Sequence, residues 1–144
     1  MQKIVINSKH GGFGLSHKAM IRLAELKGIE LFAYMNPRDK NGSIDFDKYV
    51  LFDPDKYTKK DYFVLHYVTI KKDNISKKEL NDNYYSKSPQ RDDPDLIKVI
   101  EELGDEADGT SANLKIVEIP DGVKWVIDEY DGWESVEEEH RSWG

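Results

Sequence analysis

The chain has 144 residues, 38% hydrophobic and 34% charged, with ten Gly, five Pro and no Cys. That suits one core of ordinary size and excludes collagenous, low-complexity and disulfide-scaffold classes, as well as thiolate nucleophiles and Cys-ligated metal centres. Net charge is −7 and mean hydropathy −0.71, and the charge divides into +6 over residues 1–91 and −13 over residues 92–144.

The split has two readings. Either the acidic third faces a basic partner and the basic part attracts phosphate-bearing ligands, or the two neutralise each other within one fold. A pI near 5.1 disfavours duplex nucleic-acid binding, which rests on a basic footprint. No apolar run approaches the roughly 18 residues of a membrane span, and MQKIVINSKHGG has no signal-peptide core. The expectation is a soluble, cytoplasmic protein with no membrane partner and no cofactor.

Lys3 to Asn7 reads as a buried strand, followed by the tight loop Ser8 to Leu15 and then Ser16, a good helix N-cap. Ala19, Met20, Leu23, Ala24 and Leu26 recur at helical spacing and Gly28 suits the helix end, so a helix is expected over Ser16 to Lys27. Ile29 to Met35 is strand-like, which makes the first 35 residues a β-loop-α-β unit, read as a parallel crossover. Asn36 to Lys60 is turn-rich, with a short strand at Tyr49 to Phe52.

Asp61 to Ile70 is apolar on both faces and is expected to be central in a sheet. Lys71 to Gln90 is polar and is a candidate mobile loop, with one helical turn after Ser76, where Glu79 completes a capping box. Asp93 and Pro94 open a second amphipathic helix that Gly104 ends. Leu114 to Ile119 and Val123 to Tyr130, separated by Pro120-Asp121-Gly122, read as a hairpin. Trp133 to Trp143 is expected as a short helix or arm. The whole reads as a single α+β domain over residues 1–144, with a mixed β-sheet of about five strands, two main helices, and 36–60 and 71–90 as loop-rich excursions.

The loop Lys9-His10-Gly11-Gly12-Phe13-Gly14 carries the most suggestive chemistry. Glycines between a strand and a capped helix let backbone N–H groups face an anion. The spacing matches neither the Rossmann nor the Walker pattern, and a plain turn with Phe13 as a core plug explains it equally. The candidate ligand-binding set is Lys9, Gly11, Gly12, Phe13, Gly14, Ser16 and Arg91, for a small nucleotide.

His10 or His17 can serve as acid/base, and no second catalytic group follows from spacing, so His10 is only the alternative catalytic residue. His66 lies in an apolar strand and reads as a core histidine. His140 among Glu137, Glu138, Glu139 and Arg141 reads as a solvated face, because adjacent residues do not converge on a metal. Ser8 and Ser16 lack a nucleophile elbow. Lys71 and Lys72 are phosphate candidates if their loop folds over a pocket. The arm Asp128-Glu129-Tyr130-Asp131-Gly132-Trp133-Glu134 combines acids with aromatics and, with Glu137, Glu138 and Glu139, forms a candidate protein-docking surface in which Trp133 is the anchor, although Trp133 and Trp143 can instead tie the terminus to the core.

Two blocks stand out together: Ile4 to Asn7 with Gly11 to Ser16, and Arg91 to Leu96, Glu102 to Gly104, Leu114 to Asp121, Glu129 to Gly132 and His140 to Trp143. They resemble a family of small uncharacterised proteins of tailed bacteriophages and prophages, over about two thirds of the chain. That family more often carries Tyr where this chain has His10, which weighs against catalysis there. It has no settled activity, so the resemblance implies a context: a non-enzymatic phage accessory protein that blocks or sequesters a host component, either a defence protein or a small nucleotide signal. A small hydrolase or transferase using His10, and a structural oligomer, are the competing expectations.

Overall fold

Short-range signals set the helices. Ser16 accepts a hydrogen bond from the Ala19 amide at the start of the first helix, Ser76 and Glu79 close a capping box on the second, and Asp93 with Pro94 opens the third. The computed structural model describes residues 1–56, 64–85 and 88–139. Its elements in chain order are β1 (Gln2–Asn7), α1 (His17–Leu26), β2 (Phe32–Met35), β3 (Tyr49–Leu51), β4 (His66–Val68), β5 (Asn74–Ile75), α2 (Lys77–Asn83), α3 (Pro94–Leu103), β6 (Leu114–Ile119), β7 (Trp125–Tyr130) and β8 (Trp133–Glu138). The chain is α+β as expected.

The sheets differ from expectation. The described strands form three antiparallel sheets, β1-β6, β4-β2-β3-β5 and β7-β8, in place of one mixed sheet of about five strands. No parallel crossover forms at the N-terminus, because β1 pairs β6 over Gln2↔Ile119 to Asn7↔Leu114 while β2 pairs β3 and β4. The expected hairpin across Pro120-Asp121-Gly122 is also absent. Strand β6 turns to β1, and β7 pairs the residues that follow it, from Trp125↔Glu138 to Tyr130↔Trp133. Asp131 (φ 47°) and Gly132 (φ 85°) form the two-residue turn, both left-handed as a hairpin loop of this length requires. The segment expected as a helical arm is therefore a strand as far as Glu138, and His140 to Gly144 lie outside the described residues.

Two compact units are present, Met1–Lys27 with Pro89–Gly144, and Gly28–Ser88. In the first, α1 and α3 pack apolar stripes against β1, with Val5, Leu96 and Val99 fully buried. Cations of the N-terminal segment meet acids around α3: Lys3–Glu101 at 3.1 Å, Lys18–Glu106 at 2.8 Å, Arg22–Glu102 at 2.9 Å and Lys27–Asp93 at 2.7 Å. Much of the opposed charge read from sequence is thus neutralised locally, each exposed pair contributing little to stability.

In the second unit, β4 is an edge strand rather than a central one. Its outer edge is covered by the end of α2 and the residues after it, through Thr69 N–H to Asn83 O and Tyr85 N–H to Tyr67 O. The first part of the expected strand, through Phe63, lies outside the described residues. Lys71 to Gln90 carries β5 and α2. Lys72 pairs with Glu79 at 2.5 Å, and Lys71 lies 5.9 Å from the Phe32 ring. Tyr34 is fully buried, and its hydroxyl both accepts from the Lys72 amide and donates to the Lys72 carbonyl, each at 2.7 Å. Tyr34→Phe strands both backbone groups, and is expected to cost roughly 1–3 kcal/mol in urea unfolding.

Candidate functional site

Strand β1 is buried from Ile4 to Asn7 and has a sheet partner on one side only. Because Ser8 N–H faces Asn113 O on the β6 side, alternation directs the N–H groups of Val5 and Asn7 to the opposite side. There Val5 N–H donates to the Arg91 carbonyl at 2.8 Å and Asn7 N–H to Glu134 Oε1 at 2.8 Å. The Arg91 guanidinium returns a bond to the Val5 carbonyl at 3.3 Å and clamps both Glu134 oxygens, at 2.5 and 2.8 Å. Its other contact is the Phe13 ring, 3.6 Å from the centroid. One buried strand edge is thereby completed by a residue between the units' connecting chain and α3 and by a carboxylate from β8.

The Asn7 side chain joins the same knot. Its amide donates to Lys9 O at 2.6 Å and Gly132 O at 2.8 Å, and its carbonyl accepts from Asn113 N–H at 2.8 Å. The glycine loop lies directly on the hairpin turn: Gly11 N–H donates to Asp131 O at 3.3 Å. A Cβ at Gly132 would stand 2.3 Å from the Gly12 nitrogen, and one at Gly11 would stand 2.7 Å from Ser111 O. Gly14 O accepts from Gly109 N–H at 2.9 Å, and the Ser16 hydroxyl donates to Glu106 O at 2.6 Å.

Of the seven candidate ligand-binding residues, the structure therefore brings Gly11, Gly12, Phe13 and Arg91 together, but in contact with protein groups. Arg91 is bound by Glu134 and covered on one face by Phe13, so neither presents the free charge or free ring that the nucleotide reading asked of it. Lys9 is exposed and carries no ion pair among the described residues. Lys71 and Lys72 belong to the other unit.

His10 is exposed. Its Nδ1 lies 3.2 Å from the Asp131 carbonyl oxygen, within reach to donate to it. Its ring meets Trp133 edge-on at 5.2 Å and Tyr130 at 6.2 Å, and the Asp131 carboxylate is 4.0 Å away. His17 begins α1, and burial lowers its pKa; burial likewise lowers that of His66, which sits edge-on to the Tyr49 ring at 5.5 Å. Both imidazoles are held toward the neutral form. Among the described residues no group of three or more His, Asp or Glu is placed to hold a metal ion.

The hairpin has two unlike faces, since cross-strand partners share a face and neighbours alternate. One face carries Glu134, inserted into the knot, with half-buried Trp125, Ile127 and Val136. The other carries Val126 with Glu137, Asp128 with Ser135, and Tyr130 with Trp133. Tyr130 is 80%, Trp133 47% and Val126 43% exposed. Trp133 and Glu137, expected as docking residues, thus share the outward face. Glu138 falls on the opposite one, and Glu139 follows the strand with its N–H on Lys124 O. Asp128 and Tyr130, which the sequence already groups with Trp133 in one acidic and aromatic arm, lie on this surface, and His10 joins it without having been grouped there from sequence. The available signal was Asp131-Gly132 between two aromatics, a hairpin turn that puts its flanking residues side by side.

Burial pushes the Glu134 carboxyl up, but the hydrogen bonds from Arg91 and from the Asn7 amide outweigh it and hold the pKa below the ordinary carboxylate value. A depressed folded pKa means that the contribution to stability is complete above the unfolded value of about 4.3 and is lost as pH falls through the folded one. Glu134→Gln is expected to destabilise by about 3–5 kcal/mol near neutrality. Urea midpoints measured down the pH scale should show the gap to the wild-type chain narrowing once the pH drops below about 4. Gly132→Ala should destabilise at every pH, because its backbone abuts Gly12. No protein-family model matches this chain, and no curated protein or solved structure matches it either.

Proposed function

We propose that this protein is a non-enzymatic accessory protein that binds and blocks a host protein through the outward face of the β7–β8 hairpin, in keeping with its resemblance to phage-encoded proteins. The observation that carries this reading is the exposed Tyr130–Trp133 pair on a strand face that also bears Asp128 and Glu137. Aromatic residues are the usual anchors of protein interfaces, and here they stand on a rigid hairpin rather than on a loose arm.

Sequestration of a small nucleotide is the less favoured arm. Its expected charge, Arg91, is spent on Glu134, and the Gly11 amide is spent on Asp131. The hydrolase reading rests on His10, whose exposed ring packs edge-on to Tyr130 and Trp133 and is not accompanied by a second catalytic group among the described residues. No described helix is long and apolar enough to cross a membrane.

Affinity isolation of the chain from bacterial cells tests the reading. One host polypeptide is expected to be retained in stoichiometric amount, to be lost with Tyr130→Ala and Trp133→Ala, and to survive Lys9→Ala. A nucleotide recovered intact from the protein and lost with Gly12→Val would overturn docking in favour of sequestration. Turnover of a phosphoester that His10→Ala abolishes would overturn it in favour of an enzyme.

A further inference from the structure

Residues 124–139 hold seven carboxylates and one lysine. Of these carboxylates, Glu134 alone is met by an arginine among the described residues. Glu129 Oε1 accepts from Gly132 N–H and Glu137 Oε1 from the Ser135 hydroxyl. Among the described residues Asp128 and Glu137 have no cation partner, and the Asp131 carboxylate stands 4.0 Å from His10. The outward face therefore combines two exposed rings with negative charge that no described cation pairs. Ring faces carry negative potential, so rings and carboxylates here favour the same kind of visitor.

The fold already contains a filled example of this chemistry. The Arg91 guanidinium carbon stands 3.6 Å over the Phe13 ring centroid while both Glu134 oxygens accept its N–H groups. On the outward face the aromatic and carboxylate components recur as Tyr130, Trp133, Asp128 and Glu137, with no arginine beside them among the described residues.

We infer that this face is a seat for an arginine-bearing basic segment of a protein partner, its guanidinium stacked on Tyr130 or Trp133 and held by Asp128 or Glu137. This rests on the docking reading and names the partner's chemistry. Arginine is preferred to lysine because a planar, weakly hydrated cation stacks on a ring and offers two parallel donors to a carboxylate, whereas an ammonium is a compact, strongly hydrated point charge. Duplex nucleic acid is repelled by the same carboxylates.

The test uses the full chain and two labelled probes, nona-arginine and nona-lysine, titrated by fluorescence anisotropy at fixed ionic strength. Nona-arginine is expected to bind about tenfold more tightly, the ratio that one to two cation–π contacts supply. Tyr130→Ala with Trp133→Ala should abolish the ratio, and Tyr130→Phe should preserve it. Asp128→Asn with Glu137→Gln should weaken both probes and flatten their salt dependence. Melting curves on each variant separate loss of the seat from loss of the fold.

Equal affinity for the two probes on the wild-type chain overturns the inference, as does an arginine preference that survives removal of both rings. Self-association of the chain that blocks probe binding and disappears with Trp133→Ala also overturns it, in favour of a second copy as the occupant. A host protein that is captured through Tyr130 and Trp133 while the probes bind equally would defeat the arginine seat and leave the docking reading standing.

Discussion

A strand with a neighbour on one side only, yet buried on both, has to find partners for its second row of amides. β1 meets that requirement without another strand. A main-chain carbonyl from Arg91 takes the Val5 amide, and the carboxylate of Glu134 takes the Asn7 amide. Once a carboxylate occupies a site of low dielectric it needs a countercharge, and the same Arg91 supplies one. The countercharge in turn needs an apolar or π surface on its open side, and Phe13 provides it. Each member answers the cost created by the one before, so the three are best regarded as a single structural unit.

That unit decides what the neighbouring segments can be. Seating Glu134 fixes the rotation of β8, and therefore sends Trp133, Ser135 and Glu137 outward. Seating Phe13 fixes the exit from the glycine loop, and the Asn7 side chain, gripping Lys9 and Gly132, draws that loop onto the hairpin turn. Where the loop and the turn touch, a Cβ on Gly132 would meet the Gly11 and Gly12 nitrogens, so that position requires glycine. Gly11 is held small by Ser111, and Gly12, which has open space around it, is required by its φ of 100°.

What was readable beforehand follows the range of the interactions involved. Ser16, Asp93-Pro94 and the Ser76–Glu79 box act within four residues, and the helices they start lie where the sequence places them. Strand positions for β1, β3 and β6 were also legible, since they depend on local apolar content. Pairing was not: β1 and β6 are joined by contacts between Gln2 and Ile119, and nothing local distinguishes that partner from β2. Pro120-Asp121-Gly122 reads as a hairpin turn, whereas the hairpin forms around Asp131-Gly132, beyond which the sequence reads as a short helix or arm. The Arg91–Glu134 pairing was illegible for the same reason as the strand pairing: the two residues lie 43 positions apart, and no spacing rule connects them.

The division of the chain has a consequence for how it is made. Residues 28–88 form one unit that interrupts the other. All pairings of the inner unit lie within one continuous stretch, so it can close as soon as that stretch has emerged from the ribosome. The outer unit cannot. Its first strand leaves the ribosome early, waits for a sheet partner more than a hundred residues downstream, and obtains the carboxylate for its second edge only when Glu134 has been synthesised. Until then the apolar run Ile4-Val5-Ile6 lacks the partners it has in the fold. The polar residues Gln2, Lys3, Asn7, Ser8 and Lys9 bracket this run, the placement that opposes aggregation of an unpaired apolar segment.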